Sequence, residues 1–249
     1  MKLPSLRANA IAAALVLCGG FALAFFYAPL DADQGFIQKI FYLHVPLAIC
    51  SLVGFIVGGI WAALHLRSGD RRHDARSYVS IHLSVIFGVG VLVTGSIWAR
   101  ASWGKWWVWD EPTLVSFLIV FLLYATYYPL RYAIEDRDRQ ARYASVFAIT
   151  AGAFVPLNFV AVRMATSLVH PRVFATANGG LPGSMLLTFC VCLAGMALLW
   201  IALVRFELAA KAASASLSRL RRAIEGEAHV QPSGSRIAPA APSSATSAS

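Results

Sequence analysis

The chain has 249 residues, of which 58% are hydrophobic and only 13% are charged, and its mean hydropathy is +0.65. Soluble domains carry about a quarter charged residues and disordered chains have low hydrophobicity, so both classes are excluded. The net charge of +9 comes from basic residues scattered over loop ends, which gives no indication of nucleic-acid binding. Four scattered cysteines exclude a disulfide scaffold. The composition therefore predicts an integral membrane protein with one membrane domain.

Six apolar runs are long enough to cross a bilayer as helices, each of which needs roughly 20 apolar residues. The sequence predicts an all-α protein with spans over residues 9–27, 41–66, 79–98, 113–132, 143–162 and 184–206. The first run follows Lys2 and Arg7 as a signal peptide would, but its length favours a retained helix. We expect a membrane domain over 1–212 and a disordered tail, rich in Ala, Ser and Pro, over 213–249.

Lysine and arginine residues are unevenly distributed between the two sides of the predicted bundle. Most lie at the N terminus, in the loops 67–78 and 131–142, and in the C-terminal tail. The other side carries fewer: Lys39, Arg100, Lys105, Arg163 and Arg172. Because cytoplasmic loops hold the excess of Lys and Arg, both termini are expected in the cytoplasm and the second side is expected to face outward.

Several function classes are excluded by motifs that the sequence lacks. The interiors of the six runs contain no Asp, Glu, Lys or Arg, which argues against ion- and proton-coupled carriers. A G-x-x-x-x-G-K-[ST] loop is missing, so the chain does not hydrolyse nucleotides by that route. A C-x-x-C-H motif is also missing, so the chain does not carry covalent c-type haem.

Two of the six histidines, His44 and His170, fall on the predicted outer side. His44 begins the second span within the string YLHVP, and His170 lies after the fifth span within LVHP. Either residue alone is typical of a hydrogen-bonded histidine at the membrane interface. As a pair on one side and at similar depth, they are candidate axial ligands for a haem iron.

The outer segment between these histidines holds five of the seven tryptophans within twelve residues. An aromatic belt at the membrane interface is the ordinary interpretation, but a belt does not need five tryptophans in one loop. If the segment is helical, Trp103, Trp106, Trp107 and Asp110 share one face. Such a face would form an aromatic shelf that suits a flat apolar macrocycle.

The charged residues beside this shelf have two interpretations each. Asp110 and Glu111 precede Pro112, a favoured first residue of a helix, so both acids could simply cap the fourth span and face its dipole. The outer cations could pair with haem propionates or extend to lipid headgroups: Arg100, Lys105, Arg163 and Arg172.

The string WGKWWVWD over 103–110, flanked by histidines in YLHVP and LVHP, resembles the haem-handling membrane proteins. The length and six spans are similar to those of the CcmC family, also called haem exporter protein C, over about residues 9–206. The resemblance implies non-covalent haem b at the periplasmic face of a bacterial inner membrane, with His44 and His170 as the ligands of the metal. It implies further haem contacts from Trp103, Gly104, Trp106, Trp107, Trp109 and Asp110, with Arg100, Arg163 and Arg172 near the propionates.

The resemblance also implies partners. Proteins of this family load haem onto a periplasmic chaperone, CcmE, and work beside an ABC-type ATPase and its membrane subunit (CcmA, CcmB) and a small membrane peptide, CcmD. They present haem rather than act as classical enzymes, and the sequence indicates no catalytic residue. The chain departs from the family after Asp110, where a small residue, Arg, Leu and Thr often follow. Here Glu111, Pro112, Thr113 and Leu114 follow, so the role of that Arg is absent or belongs to Arg100 or Arg163.

Two other functions stay open on the sequence alone. An electron-carrying b-type cytochrome would also use paired histidines, and His65 and His82 on the inner side are the candidates for a second haem. A structural subunit of an ABC transporter would use the tryptophans as a belt and would keep its function without either outer histidine. The outer histidine pair together with the Trp-rich string favours haem presentation.

Overall fold

The computed structural model describes residues 5–170 and 180–230, with side chains described as far as residue 225. Within these ranges the chain is helical apart from its connections and one isolated bridge between Asp31 and Gly35. The helices are α1 Leu6–Phe26, α2 Phe41–Ser68, α3 Arg71–Trp103, α4 Pro112–Ala125, α5 Tyr127–Tyr132, α6 Arg137–Met164 and α7 Gly183–Val230, with a 3-10 turn at Phe36–Ile40 ahead of α2.

In the described part of the chain, six helical stretches are long and apolar enough to cross a membrane, α4 and α5 counting as one. They are Leu6–Phe26, Phe36–Ser68, Arg71–Trp103, Pro112–Tyr132, Arg137–Met164 and Gly183–Glu225. The predicted all-α class and the six spans are confirmed. Helices α3 and α6 begin earlier than the apolar runs predict, because each begins with a polar turn after an aspartate cap. Asp70 accepts from the N–H of Arg72, and Asp136 accepts from the N–H groups of Asp138 and Arg139.

Helix α7 extends past its apolar run. It continues through Val230, into the segment that the sequence predicts to be a disordered tail. The chain divides into two compact units, Met1–Leu208 and Ala209–Ser249. The remainder of the predicted tail, 231–249, lies outside the described residues, so the tail as a whole stays a prediction.

Helix α2 packs chiefly against α3 and α6, and its small residues allow the close approach. A Cβ at Gly54 would overlap Ser84 Oγ of α3, and a Cβ at Gly59 would lie 3.0 Å from the Ala148 carbonyl oxygen of α6. Connectivity places the start of α2, the end of α3, the start of α4 and the end of α6 together. We call this the site end of the bundle.

A buried ion pair joins α3 to α5 at the opposite end. Arg131 donates to Asp74 Oδ1 and Oδ2 at 2.8 and 2.7 Å, and to the Tyr127 hydroxyl at 3.1 Å. The two charged side chains are only 10% and 14% exposed. Arg131, which the sequence analysis counted with the loop 131–142, is therefore part of α5, where a carboxylate on another helix holds its guanidinium inside the bundle.

Candidate functional site

A cavity of about 260 Å³ lies at the site end, between α2, α3, α4 and α6. Its walls are mostly apolar, and both His44 and His170 line it. The other polar side chains in the wall are Thr113, Ser116 and Asn158. The structure thus brings together, in one cavity, the two histidines that lie 126 positions apart in the sequence.

The ring of His44 is fixed by a threonine on the neighbouring helix. Its Nδ1 lies 2.9 Å from Thr94 Oγ1, and that hydroxyl donates its proton to the Gly90 carbonyl at 2.7 Å. Thr94 can therefore only accept at this contact, so Nδ1 of His44 carries the proton. The lone pair of Nε2 is consequently free to bind a metal, as in histidine ligands fixed by a second hydrogen bond.

Replacing Thr94 with valine is expected to change the tautomer ratio of the His44 ring about fivefold, because one neutral hydrogen bond contributes about 1 kcal/mol. Valine keeps the shape of threonine and removes the acceptor. The ¹⁵N resonances of the ring, assigned with His44→Gln, measure the ratio. Thr150→Val is the matched control, because its hydroxyl also bonds a carbonyl four residues back, that of Val146 at 3.1 Å. An unchanged ratio in Thr94→Val would contradict the assignment.

Each histidine has a tryptophan of α3 near its ring edge. The ring centroids of His44 and Trp98 are 5.7 Å apart at 81°, and those of His170 and Trp103 are 6.4 Å apart at 64°. Trp98 is itself held by donation from Nε1 to Gln34 Oε1 at 2.7 Å. The last turns of α3 therefore order both histidines, a role for Trp98 and Gln34 that the sequence did not indicate.

The Trp-rich segment is not a continuous helix. Helix α3 ends at Trp103, and Gly104 follows with φ of +71°, a left-handed conformation that favours glycine because it has no Cβ. The Gly104 N–H bonds the Arg100 carbonyl at 3.1 Å, which completes the helix end. The predicted shelf on one helical face is therefore wrong, and Gly104 contributes a turn.

This turn separates the tryptophans into two groups. Trp103 and Trp107 line the cavity, whereas Trp106 and Trp109 are 61% and 70% exposed. Asp110 is exposed as well and does not line the cavity. Trp103 and Trp107 are the members of the motif that line the cavity together with the two histidines.

Trp107 and Thr113, which both line the cavity, each carry a polar atom that the described residues leave unpaired. Trp107 Nε1 and Thr113 Oγ1 are buried, and neither has a hydrogen-bond partner among the described residues. Buried polar atoms are rarely left in this state, so a ligand acceptor is a reasonable partner for both. Neither atom was indicated by the sequence as a hydrogen-bond donor.

The outer cations that the sequence offered as partners of the propionates differ in their contacts. Arg100 is exposed and donates to the Gly104 carbonyl oxygen of its own helix end. Arg163, in the last turn of α6, lies with its guanidinium 4.9 Å from the ring centroid of Phe159, which lines the cavity. Lys105 is exposed. Arg172 lies outside the described residues.

Glu111 is fully buried, although it was expected mainly as a cap of α4. Its cap contact with the Thr113 N–H is long, at 3.4 Å. Shorter bonds come from backbone N–H groups of the segment that carries His170. Burial raises the pKa of this carboxyl, but donation from the N–H groups of Val169, Leu168, His170 and Thr113 outweighs burial and lowers the pKa to about 2. Glu111 is therefore ionised at neutral pH.

Comparison with known proteins identifies the family. The family described as Heme exporter protein C matches residues 3–223. The chain belongs to the Heme exporter protein C family. This confirms the resemblance that the Trp-rich string and the outer histidines indicated.

Individual relatives of the same name support the assignment. Heme exporter protein C of Paracoccus denitrificans is 31% identical over 211 residues, which cover 80% of this chain and 84% of the relative. The protein of Haemophilus influenzae is 31% identical over 199 residues, covering 78% and 80%. That of Rhodobacter capsulatus is 33% identical over 153 residues, covering 59% of this chain, and the match spans only 60% of the relative's length.

Proposed function

We propose that this protein binds haem in the cavity at the site end and presents it to an acceptor for c-type cytochrome maturation. The observation that carries the proposal is the placement of His44 and His170 on one apolar cavity, with Nε2 of His44 free. Two histidines are a common axial pair for haem iron. The relatives are named heme exporters, which agrees with haem as the cargo.

The residues that line the cavity suit a haem. The apolar wall would contact the porphyrin, and the rings of Trp103 and Trp107 extend that wall at the site end. A propionate could accept from the unpaired donors Trp107 Nε1 and Thr113 Oγ1. Arg163, whose guanidinium stacks on the cavity residue Phe159, could supply positive charge to a propionate as well. Contacts from Trp106, Trp109 and Asp110 to haem stay predictions, since these side chains are exposed.

Presentation needs a binding mode without a covalent bond between haem and this chain, so we assign haem b as cargo. The chain would orient the haem and leave one edge open to a periplasmic chaperone of the CcmE type. Because the sequence has no phosphate-binding loop, ATP-driven steps would belong to partners of the CcmA and CcmB type, with a CcmD-like peptide beside them. The Lys and Arg distribution supports a site facing the periplasm from a bacterial inner membrane.

Absorption spectra of the purified protein test this proposal. The protein is isolated in detergent from cells without the haem chaperone, in oxidised and reduced states. We expect a low-spin, six-coordinate haem that the His44→Ala/His170→Ala variant loses. The His65→Ala/His82→Ala variant is the matched control. It also removes two histidines, one from α2 and one from α3, but neither of them lines the cavity.

The outcomes separate the candidate functions. A spectrum lost only with the outer pair supports the proposed site. A spectrum lost only with His65 and His82 would overturn it in favour of the b-type cytochrome. In the structure these two histidines have other partners: His65 Nδ1 contacts the Asp70 carbonyl at 3.0 Å, and His82 Nδ1 contacts the Tyr128 hydroxyl at 2.9 Å. A wild-type protein without haem would favour the structural subunit.

A further inference from the structure

One carboxylate oxygen of Glu111 accepts hydrogen bonds from three consecutive backbone N–H groups. Oε2 accepts from Leu168 and Val169 at 2.9 Å each and from His170 at 3.2 Å. The other oxygen, Oε1, lies 3.2 Å from the Ser167 hydroxyl and 3.4 Å from the Thr113 N–H. The described neighbours of the carboxylate are therefore four backbone N–H groups and the Ser167 hydroxyl, which also lies 2.7 Å from the His170 carbonyl oxygen, and all but Thr113 belong to the segment that carries His170.

We propose that Glu111 is a positioning residue that holds His170 over the cavity. This inference rests on the proposed function, because it assigns Glu111 to the placement of an axial ligand. Glu111 touches the backbone of His170 and does not line the cavity, so it acts through the histidine.

Side-chain packing contributes little to holding this segment. It follows the end of α6 without regular helix, and the side chains of Leu168 and Val169 are 60% and 41% exposed. The carboxylate, by contrast, is fully buried, and bonds from N–H groups to a charged acceptor are about twice as strong as neutral ones. Among the described residues, Glu111 therefore provides the charged acceptor for the His170 N–H, while the Ser167 hydroxyl bonds the His170 carbonyl at 2.7 Å.

The anchor for the carboxylate is the start of α4. Glu111 directly precedes Pro112, whose fixed φ begins that helix, and the Glu111 N–H bonds the Val108 carbonyl at 3.3 Å. The Trp-rich segment and the His170 segment are thereby joined at one residue. A glutamine at this site has the same shape but no charge, so the three backbone N–H groups would bond a neutral and weaker acceptor.

The first test measures the anchor without haem. Hydrogen exchange of the amides of Leu168, Val169 and His170 is followed in the haem-free full-length protein and in Glu111→Gln. We expect exchange at least about tenfold faster in the variant, because bonds to a charged acceptor protect these amides. The matched control is Asp136→Asn, which also removes the charge of a cap that accepts two N–H bonds, at the other end of α6. Equal exchange in Glu111→Gln and wild type would overturn the inference.

The second test measures the consequence for the ligand. In the haem-loaded protein we expect Glu111→Gln to shift low-spin haem toward a five-coordinate, high-spin form, and added imidazole to restore the low-spin spectrum. Asp136→Asn should keep the wild-type spectrum. Faster amide exchange with an unchanged spectrum would overturn the positioning role. If wild type binds no haem, the proposed function fails and the ligand role of Glu111 fails with it, while the exchange experiment still decides whether Glu111 anchors the segment.

Discussion

The Gly95→Ala variant is expected to lose haem affinity by about 10- to 100-fold, the effect typical of disturbed support around a metal ligand. A Cβ at Gly95 would lie 2.8 Å from Cε1 of His44, whereas carbon atoms pack at about 3.5–4.0 Å. The ring cannot tilt away freely, because Nδ1 is bound to Thr94. Titration of haem into the haem-free protein in lipid nanodiscs measures the dissociation constant.

A matched control on the same helix separates this local effect from a general one. A Cβ at Gly90 would lie 3.3 Å from Cδ1 of Leu47, a terminal methyl group that can move, so Gly90→Ala should bind haem as the wild type does. Alanine raises helix stability by up to about 1 kcal/mol relative to glycine, which offsets part of the overlap in Gly95→Ala, and circular dichroism of both variants checks that they stay folded. A dissociation constant of Gly95→Ala within twofold of wild type would contradict the prediction.

The spans and the histidine pair could be predicted because their signals are local. Apolar runs are continuous in the sequence, and polar breaks bound them. His44 and His170 could be paired because few histidines fall on the outer side. The sequence could not predict how deep the site lies. The cavity is formed by side chains of four helices, and their contacts depend on how the helices pack.

The shared face of Trp103, Trp106, Trp107 and Asp110 was predicted on the condition of a continuous helix, and that condition fails because α3 ends at Trp103. Gly104 signals the break, since glycine is common just after a helix end, but it was included in the motif as a site residue. The result is that Trp103 and Trp107 face the cavity, while Trp106 and Trp109 do not.

Glu111 and Thr94 were missed for a different reason. Glu111 bonds backbone N–H groups 57 to 59 positions away, and any residue type can supply such groups. The visible signal was an acid at a position where the family often has a small residue. Thr94 is a single threonine in a helix, and only its place opposite His44 gives it a role.

The Arg131→Met variant is expected to destabilise the folded protein by about 3–5 kcal/mol, because it leaves the carboxylate of Asp74 buried without its counter-charge. The pair is bidentate and only 10% and 14% exposed, so solvent screens it little. Denaturant unfolding in mixed micelles, followed by circular dichroism, measures the loss. The proposed haem site lies at the other end of the bundle, so the variant that remains folded should bind haem as the wild type does.

The bundle offers a matched pair for comparison. Arg71 of α3 and Asp138 of α6 also form an ion pair between helices, but their side chains are 58% and 76% exposed, so Arg71→Met should cost no more than about 1 kcal/mol. Removing both buried charges, as Arg131→Met/Asp74→Leu, should recover much of the stability, since an apolar pair replaces the ions at little net cost. If Arg131→Met costs no more than Arg71→Met, the buried pair does not stabilise this end of the bundle.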